Sequence, residues 1–310
     1  MLNPANSAKA TSAKHKTVLL QEAIEHLGLE EGGNKTFVDA TYGGGGHSQE
    51  VARRYPKVKV IGIDQDPAVN PKPEILNPKL EFRRGNFRNI DQILGEIRPD
   101  AILFDLGWST DQLAGKGMSF MHDEPLDMRL GGPRREDGGV NFSAKDVVNN
   151  WSEEALELII RGFGEERNSR RIARAIMEER SFAPINTTLE LAQIIESVVP
   201  RRGRIHPATK TFQALRITVN EELTALEEGL AKGWQILNSG GRMAVISFHS
   251  LEDRIVKRFF KEKVEERSGE FINSPRLGPG GARKPIVPSE EELERNPRSR
   301  SAKLRIIKKL

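Results

Sequence analysis

The chain has 310 residues, 37% of them apolar and 30% charged, a balance that suits a soluble globular protein with one large domain or two smaller ones. Its formal charge is +4 and it holds no cysteine, which excludes disulfides, thiolate-bound zinc, iron–sulfur clusters and a cysteine nucleophile. No apolar run approaches the roughly 20 residues of a membrane span.

Residues 1–14 (MLNPANSAKATSAK) are small and polar and lack the apolar stretch of a secretory signal, so a flexible tail is expected. Residues 36–40 (TFVDA) form a short apolar run that stops at a glycine cluster, and a helix-like stretch follows over 47–54. Further strand candidates are 59–64 (KVIGID), 80–84 and 101–106 (AILFDL). Uniformly apolar strands alternating with helices predict a parallel, doubly wound α/β sheet. The alternation breaks near Gln112, and from there to Ile205 the periodicity is helical. Helices are predicted over 152–160 and 166–180, and Thr187 with Glu190 forms a capping box ahead of LAQIIESVV. Strand character returns at 241–248 (GRMAVISF), with Ser250 and Asp253 as candidate caps of the helix that follows. Residues 269–283 are rich in Gly, Pro and Arg and read as a mobile loop, and 303–307 as a closing strand. The expected division is a tail (1–14), a core (15–111 and 206–310) and an inserted helical substrate-recognition domain (112–205).

Charge is unevenly spread. Residues 254–310 carry sixteen Lys/Arg against eight Asp/Glu. This is either a solvated basic tail or a surface for a polyanion.

The sharpest local motif is DATYGGGGHS, residues 39–48: a strand, four glycines, then a helix. Glycines let a backbone approach a ligand closely, and a helix start offers free N–H groups. Asp64 ends the next strand about twenty residues on, where a carboxylate can accept hydrogen bonds from two ribose hydroxyls. The pair predicts an adenosine-containing cofactor. NAD calls for a third glycine to pack the helix against its pyrophosphate; His47 and Ser48 stand there instead, which favours S-adenosylmethionine. Asp105, at the tip of the fourth strand, is either a hydrogen-bond acceptor for a reacting amine or a cap or cofactor ligand. His249 is either a proton acceptor or a structural histidine, and His206 with Pro207 reads as a turn. Asp127 either meets substrate or pairs with Arg129. Arg167, Arg170, Arg171 and Arg174 either hold RNA phosphates or pair with Glu165, Glu166 and Glu178.

Taken together, these stretches resemble the ribosomal RNA small-subunit methyltransferase H family, also called MraW or RsmH. The matching strings are HKTVLLQEA (15–23), DATYGGGGHS (39–48), GIDQDP (62–67), LFDLGWSTDQL (103–113), PLDMR (125–129), GEERNSRRIARAI (164–176), HPATKTFQALRITVNEEL (206–223), GGRMAVISFHSLEDRIVKRF (240–259) and NPRSRSAKLR (296–305). They span nearly the whole chain in order. The resemblance implies a Rossmann-like class I S-adenosylmethionine-dependent methyltransferase core with an inserted, mostly helical domain. It implies a cytoplasmic enzyme that methylates N4 of a cytidine in the decoding region of 16S rRNA, cytidine 1402 in the usual numbering. The implied cofactor contacts are Gly45, Gly46, His47, Asp64, Phe87 near the adenine, Asp105 and Gln112, with no metal. Trp108-Ser109-Thr110-Asp111 departs from the family's usual Val-Ser-Ser-Pro, and Glu124 and Leu130 from the Gly and final Met of its Asp-Gly-Pro-Leu-Asp-Met-Arg-Met, on the loop expected near the target base. The missing cysteine fits: N4 methylation needs no covalent adduct, whereas methylation at carbon 5 normally does. The amino-methylating DNA enzymes' Asp/Asn-Pro-Pro-Tyr/Phe motif is absent. The target cytosine must be exposed or flipped, and recognition is expected to rest on RNA shape and phosphates.

Overall fold

The structure is a computed structural model that describes residues 16–30, 33–69, 71, 80–107, 115–131, 141–201, 203, 205–272 and 284–310. The expected N-terminal tail lies outside these residues.

Seven strands form one sheet in the order β3-β2-β1-β4-β5-β7-β6. They are β1 (Thr36–Asp39), β2 (Lys59–Asp64), β3 (Leu80–Arg84), β4 (Ala101–Asp105), β5 (Arg242–Ser247), β6 (Gly269–Phe271) and β7 (Lys303–Lys309). β1 to β5 run parallel, and β7 is antiparallel to both β5 and β6. The β6 strand corrects the loop reading of 269–283: its first three residues pair with Lys309, Lys308 and Ile307, and 273–283 lie outside the described residues.

Side chains alternate between the two faces with the strand period of two. Phe37, Val60, Leu103 and Ala244 pack on one face, against α1 (Leu20–Glu25) and α2 (Gly46–Arg54). Val38, Ile61, Phe104 and Val245 pack on the other, where Ile90, Leu230, Trp234 and Phe260 cover them. Those four come from α3 (Ile90–Leu94), α9 (Glu222–Ile236) and α10 (Ser250–Glu265). Burial on both faces explains why these strands read as continuous apolar runs.

A second core is helical, formed by α4 (Ala144–Asn150), α5 (Glu153–Gly162), α6 (Ser169–Phe182), α7 (Thr188–Val198) and α8 (Thr209–Asn220). Short polar side chains start its helices. Ser143 and Asp146 close one capping box and Thr187 with Glu190 another, each satisfying otherwise orphaned backbone N–H groups. At α10 the cap is His249 with Glu252, one residue earlier than the expected Ser250 and Asp253. The Asp253 carboxylate is instead held by Arg305 at 2.7 Å and Lys303 at 3.2 Å, both on β7.

The acidic stretch near the C-terminus forms α11 (Glu290–Arg295). Its Glu292 accepts a hydrogen bond from the Leu19 N–H at 2.9 Å, fastening residues 16–20 beside the glycine loop.

Candidate active site

The strand order reverses between β1 and β4, and in open α/β sheets ligands bind at such a switch point, beyond the strands' carboxyl ends. Here β1, β2 and β4 each end on an aspartate: Asp39, Asp64 and Asp105. A cavity of about 1150 Å³ opens over these tips, with its far wall made by residues 119–124 and α8.

The glycine loop forms one wall. Gly43 and Gly45 sit at φ +50° and +74°, the left-handed region that glycine enters without strain. The Gly45 N–H closes a tight turn onto the Tyr42 carbonyl at 2.7 Å, and α2 begins at once. The loop is braced from two sides. A side chain on Gly46 would strike the Thr17 hydroxyl, and one on Gly62 would strike the Tyr42 ring.

Asp64 is buried, and both its oxygens are engaged: Oδ2 accepts from the Gly43 N–H at 2.7 Å and Oδ1 from the Asp66 N–H at 2.8 Å. Each oxygen keeps a further lone pair for a ligand diol. Burial raises its pKa despite these donors. Asp66 is not a second ligand site, because Lys116 holds its carboxylate at 2.7 Å.

Burial pushes Asp105 up to about 7, against the Gly107 N–H that donates to it, and Asp39 and Glu252 add to the rise. His47 Nδ1 lies 3.7 Å from Asp105 Oδ2. Asp39 lies beneath the cavity floor and accepts from the Ser48 hydroxyl at 2.7 Å; burial raises it to about 6. Phe87 lines the cavity and meets Phe104 edge to face at 5.6 Å. So Gly46, His47, Asp64, Phe87 and Asp105 line one cavity, with Gly45 immediately behind as the cap of α2. Gln112 and residues 108–111 lie outside the described residues.

Other readings resolve differently. Asp127 pairs with Arg129 through two hydrogen bonds of 2.6 and 2.7 Å, and the guanidinium holds its pKa down. His206 is held at a turn, accepting from the Ala208 N–H, 2.8 Å from Glu196 and stacked on Phe120. His249 caps α10 and also lines the cavity. The arginine run does not pair with Glu165, Glu166 and Glu178. Glu165 holds Ser250 and Arg254, Glu166 holds Asn168 and faces Lys210, and Arg174 reaches Glu153 instead.

Sequence reasoning missed the cluster on the helical side. Arg216 grips Glu222 through both oxygens at 2.9 and 3.0 Å, and burial raises Glu222 despite that partner. Glu252 is buried, accepts from the Phe248 N–H at 2.7 Å and lies 3.0 Å from His249 Nε2. Glu222, His249 and Glu252 bring ligand atoms within 4.8 Å of one another, and Arg216 already occupies Glu222. The only local signal was the capping spacing from His249 to Glu252.

This charge distribution tests what the crevice can hold. Asp64, Asp105, Glu222 and Glu252 line its interior with Asp39 beneath, and Arg216 is the one interior cation among the described residues. Lys16, Arg295 and Arg298 stand exposed at one rim. Buried carboxylates repel a pyrophosphate and suit a ligand that carries a cation. S-adenosylmethionine fits this requirement through its sulfonium and ammonium.

The doubly wound sheet with its reversed β7, the glycine loop and the Asp64 carboxylate define a class I S-adenosylmethionine-dependent methyltransferase. The model of the MraW methylase family matches residues 12–310, and the chain belongs to that family. Among its relatives are proteins named ribosomal RNA small subunit methyltransferase H. That of Persephonella marina is 46% identical over 96% of this chain and 99% of its own length. That of Synechococcus elongatus is 44% identical over 99% and 98%. That of Carboxydothermus hydrogenoformans is 46% identical over 96% and 98%.

Proposed function

We propose that this protein methylates N4 of a cytidine in the decoding region of small-subunit ribosomal RNA, in the cytoplasm. The names of its relatives supply the substrate class. The observation that carries the choice of atom is Asp105, a carboxylate held near neutrality at a strand tip, in a chain without a thiol.

S-adenosylmethionine, when bound, supplies a methyl group already activated by its sulfonium. Asp64 would take the ribose diol, and Phe87 would border the adenine. Gly45 turns the chain into α2, and the free N–H groups from Gly46 onward, with the helix dipole, favour the ligand's carboxylate. His47 borders the same end and steadies Asp105.

A cytosine amine is a weak nucleophile because its lone pair is delocalised into the ring. Asp105 accepts a hydrogen bond from one of its N–H groups, aligns the nitrogen and stabilises the positive charge that develops there. A carboxyl poised at about 7 can also take up the proton that leaves. Residues 15–111 and 206–310 form the cofactor-binding core in this reading. Residues 112–205 recognise the RNA, with α8 shared between the two.

Mass spectrometry of rRNA nucleosides from cells lacking the protein, before and after re-expression, tests the proposal. N4-methylcytidine should appear only on re-expression; equal levels in both samples would refute it.

A further inference from the structure

The four arginines of the 164–176 segment fall at spacings of three and four residues. Arg167 stands in the turn just before α6, and Arg170, Arg171 and Arg174 face away from the side of α6 that buries Ser169, Ile172, Ala173 and Ile176. Arg167, Arg170 and Arg171 are exposed, and none has a carboxylate partner among the described residues.

A second basic stripe, distant in sequence, meets the first. Glu165 leaves α5 in a left-handed conformation at φ +48°, accepts a hydrogen bond from the Ser250 hydroxyl and pairs with Arg254 at 2.9 Å. Lys257 follows Arg254 one turn later on α10, exposed and without a carboxylate partner among the described residues. The Glu165 carboxylate at this junction is therefore already neutralised. The start of the basic C-terminal fifth and the arginine run form one edge of the molecule.

That edge lies one residue layer from the cavity. Phe248 and His249 line the cavity and lead directly to Ser250. Gln213 lines it too, and donates to the Phe163 carbonyl at 2.9 Å, just before the turn that carries Glu165.

We propose that Arg167, Arg170 and Arg171, with Arg254 and Lys257 across the Glu165 bridge, form a phosphate track. It holds the RNA strand beside the target nucleotide while the nucleotide itself enters the cavity. Arg167, Arg170, Arg171 and Lys257, which have no carboxylate partner among the described residues, offer their charge to phosphates, and a solvent-facing stripe meets a backbone without needing a groove. The inference rests on the proposed action on ribosomal RNA.

The test compares the full-length wild type with an Arg167→Ala/Arg170→Ala/Arg171→Ala triple variant. It measures affinity for small-subunit rRNA against salt, KM and kcat for methyl transfer, and S-adenosylmethionine binding. The triple variant should bind RNA at least about tenfold more weakly. The slope of log affinity against log salt should fall by about 2, from three lost contacts at about 0.7 each. KM for RNA should rise while kcat and cofactor affinity hold. The corresponding Arg→Lys triple variant, which keeps the charge, should recover most of the affinity. Arg98→Ala, an exposed cation at the opposite end of β4, should change nothing. A triple alanine variant equal to a wild type that methylates RNA would overturn the track, as would a lysine variant as weak as the alanine one. A wild type that transfers no methyl group to RNA would instead remove the functional reading beneath it.

Discussion

The crevice at the strand tips and the arginine edge beside it carry opposite charge in opposite settings. Inside, carboxylates sit in a low-dielectric floor, and burial lifts Asp39 and Asp105 to about 6 and about 7. Outside, Arg167, Arg170 and Arg171 stand in water. Buried charge keeps its strength at a few ångströms, so a handful of groups can select one small cation. Exposed charge is screened within about 8 Å at physiological salt, so it needs many contacts along a polyanion to matter. The net charge of +4 describes neither region.

Several measurements can break or sharpen that contrast. Asp105→Asn should lower kcat about 100- to 1000-fold, the usual scale for losing one aligned polar group, while RNA affinity is retained. The wild-type rate should rise with pH through about 7 as Asp105 ionises, and that limb should be missing in the variant. Asp64→Ala should weaken S-adenosylmethionine binding about 100-fold, since it removes a charged acceptor from two ligand hydroxyls, and should leave the salt dependence of RNA binding intact.

Asp39→Asn should stabilise the cofactor-free protein by about 3 kcal/mol at pH 8, read by denaturant unfolding. The sign follows from the raised pKa. Protonated Asp39 contributes stability that is complete below about pH 4 and is lost as pH rises through about 6. An amide escapes that loss. Cofactor affinity should change in the other direction. A cationic ligand prefers the ionised floor, so its Kd should fall about tenfold from pH 5.5 to 8 and then level off. Raising salt from 50 to 200 mM should change cofactor affinity less than about twofold, against about tenfold or more for RNA.

The crevice end at the sheet was largely readable from the sequence because its signals are local. Parallel strands buried on both faces leave uninterrupted apolar runs, and their ends mark where Asp39, Asp64 and Asp105 must stand. The glycines are required by backbone geometry at Gly43 and Gly45, which makes the loop legible without any partner. The helical side was not readable in that way. Arg216, Glu222 and Glu252 lie on three different helices, and ordinary amphipathic helices carry the same residues as solvated surface. Their shared burial arises only from how α8, α9 and α10 converge. The arginine run shows a related difficulty. Local spacing pointed to ion pairs with Glu165, Glu166 and Glu178, and contacts with Ser250, Arg254 and Lys210 drew two of those glutamates elsewhere. The helix cap at His249 moved by one residue because β7 claims Asp253.

Calorimetric titration of the wild type with S-adenosylmethionine, repeated across pH and in buffers of different ionisation enthalpy, tests the acidic floor most directly. One cofactor per chain should bind, with proton release between pH 6 and 7 and tighter affinity above that range. Affinity that ignores pH and releases no proton would contradict a floor of half-protonated carboxylates that selects a cation.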